Sequence, residues 1–105
     1  MRFDEYQIEA HKTSSPDRDP IQHAFHGLAA ESGEVAGVMQ KYFRGDYDWD
    51  VMVEKTKKEL GDILWYLAEV STQLGLDLAT VAEMNIRKLR SRQERNAIKG
   101  AGDDR

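Results

Sequence analysis

The stretch DPIQHAFHGLAAESGEVAGVMQKYFRG, residues 19–45, decides the fold. An acidic residue, Asp19, stands before Pro20, and proline at a first helical position has lost nothing by lacking its N–H. Ile21, Phe25, Leu28, Val35, Met39 and Tyr42 then recur at three- and four-residue steps, the period of one long amphipathic helix running to about Arg44. Gly45, tolerant of left-handed dihedrals, ends it. Working outward, Asp46 to Asp50 is a short acidic-aromatic connection, and Asp50 is the expected cap of the next helix. Its buried stripe reads Val53, Thr56, Leu60, Ile63, Leu67, Val70 and Leu74, with Gly75-Leu76 as the stop. Asp77 caps a third long helix with the stripe Leu78, Val81, Ala82, Asn85 and Leu89.

Towards the N-terminus, Phe3 to His11 forms a short helix with Phe3, Tyr6 and Ala10 on one side and Asp4 as a loose cap. Both prolines, Pro16 and Pro20, fall in the polar loop Thr13–Pro20. Towards the C-terminus the pattern fades through Arg90, Arg92, Glu94 and Arg95 before a glycine-rich polar tail at 99–105. Hairpin turns flanked by alternating β-branched runs are absent. The fold class is all-α: three long helices and a short N-terminal one in a single domain over residues 1–105. Helices this long expose much side surface in a small chain, and Met52, Trp65 and Met84 lie off the main stripes as a second apolar face. A homo-oligomer, dimer or tetramer, with helices packing across subunits is therefore expected.

The composition narrows the function classes. A net charge of −4 argues against a general nucleic-acid binder. No apolar run approaches the roughly 20 residues of a membrane span, and the polar N-terminus lacks a secretory h-region. With no cysteine there are no disulfides and no thiolate metal site, and a cytoplasmic location is expected.

The chemistry lies in two repeats of one pattern, Glu31-Ser32-Gly33-Glu34 and Glu59-Leu60-Gly61-Asp62. Acids at i and i+3 share a helix face, so two such helices running antiparallel can aim four carboxylates at one point. Four carboxylates together repel unless a cation sits among them, and hard oxygen donors suit Mg²⁺ or Mn²⁺. One such pair is more often a solvated face than a ligand set. The repetition on successive helices favours a metal site. So do Gly33 and Gly61, each costing about 1 kcal/mol against alanine mid-helix, a penalty that a close approach of helices would explain. On the last long helix Asn85, Lys88 and Arg92 share a face by their i, i+3, i+7 spacing and could bind phosphate, with Lys41 a further candidate. His23 and His26 read as groove-lining. Tyr66, one turn after Asp62, could donate to a carboxylate or phosphate, and Trp49 and Trp65 could stack on a base or be buried at an interface.

The segments Gly27 to Val35, Glu59 to Leu67 and Asn85 to Arg92 together resemble the MazG-like nucleoside triphosphate pyrophosphohydrolases, an all-α family. The resemblance implies that Glu31, Glu34, Glu59 and Asp62 bind Mg²⁺ and that Asn85, Lys88 and Arg92 hold the phosphates of a nucleoside triphosphate. It also implies hydrolysis between the α and β phosphates, giving the monophosphate and pyrophosphate. Ala30 stands where the MazG branch often has an acid, and Gln93 where many members have tyrosine followed by proline. Two other classes compete. A di-iron bundle wants Glu-x-x-His steps, and none of His11, His23 or His26 follows an acid by three residues. A non-catalytic helical interaction module makes no use of the paired acids.

Overall fold

The structure, a computed structural model, describes residues 1–15 and 19–95. The expected tail at 99–105 and part of the Thr13–Pro20 loop lie outside them. The described residues form four helices and no strand: α1 (Phe3–Lys12), α2 (Pro20–Arg44), α3 (Trp49–Gln73) and α4 (Leu78–Glu94). The chain is all-α, as its periodicity implies.

Local chemistry sets the helix ends. Asp19 Oδ1 accepts from the Gln22 N–H at 3.0 Å, capping α2 ahead of Pro20. Gly45, at φ +90°, closes α2 with its N–H on the Tyr42 carbonyl. The cap of α3 is Asp48, not Asp50: its Oδ1 accepts from Val51 N–H at 2.9 Å, and Asp50 sits in the first turn, where its charge favours the helix dipole. At the other end of α3, Gly75 (φ +69°) lets the Leu76 N–H reach back to the Ser71 carbonyl at 2.8 Å. Asp77 precedes α4 without a side-chain cap bond. Gln7 of α1 does that work instead. Its Oε1 accepts from the Leu78 N–H at 2.8 Å, and its Nε2 donates to the Leu76 carbonyl at 2.8 Å and to Thr72 Oγ1 at 3.1 Å. Asp4 does not cap α1 either; Arg2 occupies that position, and its guanidinium pairs with Asp4 at 2.6 Å.

The four-residue connection after α2 folds α3 back along it. Contacts descend in step, Tyr42 with Trp49 and His23 with Tyr66, so the two helices are antiparallel. Helix α1 packs on α3 and α4. The core is small: Ala10, Ala68 and Leu78, flanked by Tyr6, Leu64 and Trp65. Ala24, Val38 and Met52 are also buried. Trp65 is anchored within the chain, its indole N–H donating to Thr13 Oγ1 at 2.7 Å. A buried carboxylate, Glu69, is met by His11 Nδ1 at 3.1 Å.

The expected apolar stripe of α3 divides in two. Met52 is buried and Thr56, Ile63, Tyr66 and Val70 half-buried, so this line faces the chain's own helices. Val53, Leu60, Leu67 and Leu74 repeat every seven residues about 100° round the helix and are 40–54% exposed. Ile21 and Phe25 on α2 and Val81 and Met84 on α4 are exposed as well. Helix α3 is apolar on more sides than one small chain can cover, and periodicity alone does not rank its two lines.

The close helix approach is at Gly27 rather than at Gly33 or Gly61. A Cβ at Gly27 would lie 2.1 Å from Tyr66 Cε1, whereas one at Gly33 or Gly61 meets nothing within 4 Å. Gly27→Ala should therefore destabilise the protein by about 1–3 kcal/mol through overpacking. Gly33→Ala and Gly61→Ala should leave it unchanged or stabilise it by up to about 1 kcal/mol. Denaturant unfolding of the three variants beside the parent checks both.

Candidate metal and phosphate site

The groove between α2 and α3 carries the paired acids. Seating the Tyr66 ring over Gly27 fixes the helices' register one turn from Glu31 on one side and one turn from Asp62 on the other. In that register Glu31, Glu59 and Asp62 each offer a carboxylate oxygen within 4.8 Å of the others. Glu31 and Glu59 are half-buried and Asp62 is exposed. Partial burial, a hydrogen bond with Glu59 and the charges of Asp62, Glu59 and Glu34 push the Glu31 carboxyl above the ordinary carboxylate range. Crowding that disfavours the ionised Glu31 is what a divalent cation relieves, and an all-oxygen donor set fits Mg²⁺ or Mn²⁺. From α1, Tyr6 joins the periphery: burial and the charge of Asp62 push its phenol above the usual value.

Glu34 stands outside the close trio. It shares with Glu59 the wall of an adjoining cavity of about 240 Å³, lined also by Gly37, Val38, Lys41, Tyr47, Lys55 and Lys58. Sequence reasoning singled out Lys41 there but missed Lys55, Lys58 and Tyr47. The two lysines had a signal, a Lys-x-x-Lys step running straight into Glu59, but such runs usually mark only a solvated face. Tyr47 had none, since its placement depends on how the connection folds.

Asn85 and Lys88 line one wall together, in a separate cavity of about 490 Å³ with Leu76, Val81 and Met84. None of that cavity's lining residues belongs to the carboxylate trio. Arg92 is buried, 3% exposed. Near the α1–α2 connection His23 and Trp65 share a third cavity of about 300 Å³, and the His23 ring lies 6.0 Å from that of Tyr66. His26 is exposed. Trp49 is 57% exposed and meets Tyr42 edge-on.

Comparison with known proteins places the chain in a family. Residues 20–96, from the start of α2 to just past the end of α4, match the MazG nucleotide pyrophosphohydrolase domain. The chain belongs to that family. It is also similar to the Gene 37 protein of Mycobacterium phage L5, 38% identical over 115 residues that cover all of both chains. No solved structure matches. Among the described residues no helix is long and apolar enough to cross a membrane.

The crowded trio makes a testable electrostatic case. A carboxyl whose folded-state pKa is raised contributes stability below its unfolded pKa and loses it as pH rises through the folded value. At pH 7 without divalent ions the ionised Glu31 is therefore a liability, and Glu31→Gln should raise the melting temperature. Mg²⁺ should raise that of the parent by about 4 °C or more and barely move that of Glu31→Gln. Thermal melts with EDTA and with Mg²⁺ give both comparisons.

Proposed function

We propose that the protein hydrolyses nucleoside triphosphates, deoxynucleotides or non-canonical ones among them, to the monophosphate and pyrophosphate, in a Mg²⁺-dependent reaction. The observation that carries the reading is the convergence of Glu31, Glu59 and Asp62 from two helices on one point. These three would hold the ion, with Mn²⁺ as a substitute, and Glu34 completes the set one turn along from Glu31. A bound divalent ion supplies charge neutralisation for the triphosphate and acidifies coordinated water.

The chain's own residues do the rest. Glu34, beside the trio, receives a proton of the attacking water, and Glu31 is the rival for that role. The water oxygen forms a bond to the α-phosphorus as the bond from that phosphorus to the α–β bridging oxygen breaks. Pyrophosphate then leaves with the bridging oxygen. Lysine side chains offset the charge that develops on it. Asn85 and Lys88, sharing one cavity wall, and Arg92 help to hold the nucleotide's phosphates, as the resemblance implies.

The exposed heptad line Val53, Leu60, Leu67 and Leu74 supports a homo-oligomer, a dimer or tetramer, as the working form. A cytoplasmic enzyme that clears or controls the nucleotide pool, acting on neither nucleic acid nor membrane, accords with the negative net charge.

Incubation with Mg²⁺ and a panel of ordinary and modified nucleoside triphosphates should yield monophosphate and pyrophosphate. Diphosphate with inorganic phosphate would contradict the reading. Glu59→Gln should lower kcat by at least about 100-fold, since even residues one step removed from a metal cost 10–100-fold. Separately, Leu60→Glu with Leu67→Glu should shift the protein to monomer in sedimentation equilibrium.

A further inference from the structure

We propose that the cavity walled by Lys41, Lys55, Lys58 and Tyr47 is the subsite for the pyrophosphate end of the substrate. The inference deepens the proposed hydrolase reading and rests on it.

The groove has a direction. On one side of the carboxylate trio the Tyr66 ring fills the space over Gly27 and closes the gap between α2 and α3. On the other side Gly37 leaves open space, and the 240 Å³ cavity begins where Glu34 and Glu59 form its wall. A phosphate chain anchored at the trio therefore has room to extend towards the α2–α3 connection, not towards Tyr66. Lys55 lies seven residues before Asp62, about 10 Å along α3, and a lysine stem bridges most of that distance.

The charges point the same way. Three lysines share the cavity with two glutamates. Among the described residues none of the three makes an ion pair, while the neighbouring Lys57, outside the cavity, pairs with Glu54 at 3.0 Å. Lys41 acts on Asp46 at a distance, but that carboxylate is already paired with Arg44; Lys55 and Lys58 are left to attract an anion carrying several negative charges. Tyr47 gives the cavity a fixed wall. Its hydroxyl donates to the Val38 carbonyl at 2.7 Å, and the Lys55 ammonium lies 5.4 Å from its ring centroid. Lys55 is thereby held over the cavity before any ligand arrives.

The test titrates pyrophosphate, inorganic phosphate and a nucleoside monophosphate, each with Mg²⁺, into the parent, the double variant Lys55→Gln/Lys58→Gln, and Lys57→Gln, by calorimetry. Thermal melts establish that each variant is folded. The double variant should bind pyrophosphate at least about tenfold more weakly, with monophosphate binding within twofold of the parent and Lys57→Gln indistinguishable from it. The KM for triphosphate should rise in parallel. Pyrophosphate binding unchanged in the double variant overturns the subsite, as does an equal loss for the monophosphate, which would mark a general surface-charge effect. Equal loss for inorganic phosphate and pyrophosphate overturns it too, reducing the cavity to a single-phosphate site. A parent that turns over no triphosphate refutes the hydrolase reading on its own, while the pyrophosphate titration still decides whether the lysines hold that anion.

Discussion

One contact governs the geometry of this chain: the Tyr66 ring lying where a side chain on residue 27 would otherwise stand. Two long helices joined by four residues must be antiparallel, but their register and separation are not thereby fixed. An aromatic ring seated on a missing Cβ fixes both, because neither slippage nor rotation of α2 preserves the fit. With that register, Glu31 meets Glu59 and Asp62. Displaced by one turn, it would face other residues of α3 and the acids would belong to separate surfaces.

The arrangement sets stability against chemistry. Three acids within 4.8 Å of one another, two of them half-buried, repel, and the raised proton affinity of Glu31 expresses that. The adjoining lysines do not relieve it by pairing, although the distance along the helices is small. Negative and positive groups stand side by side in one groove without neutralising each other, which suits a ligand that is itself anionic and travels with a cation.

Much of the fold was legible in the letters. Asp19-Pro20, Gly45 and Gly75 marked ends that hold because each rests on local backbone chemistry. The paired acids were legible because i, i+3 spacing survives any tertiary arrangement. What failed depended on neighbours. Asp48 and Asp50 are equally good caps on paper, and only the folded connection decides between them. Val53 and Met52 both sit on apolar lines of α3, and which line faces inward depends on where α1 and α2 lie. The glycines beside the acids looked like the close approach, yet the neighbour that crowds a glycine, Tyr66, lies thirty-nine residues from Gly27 and in no pattern with it. Lys55 and Lys58 were hidden in an ordinary charged run.

Gln7 carries an implication for where this domain starts. The matched family segment begins at Pro20, one helix downstream of it. Yet Gln7 seals the corner between α3 and α4, donating to the Leu76 carbonyl and accepting from the Leu78 N–H. A boundary drawn where family likeness begins would cut through a hydrogen-bonded unit and leave that corner open to water. A shortened version lacking the first helix would give up those hydrogen bonds and the packing of α1 on α3 and α4.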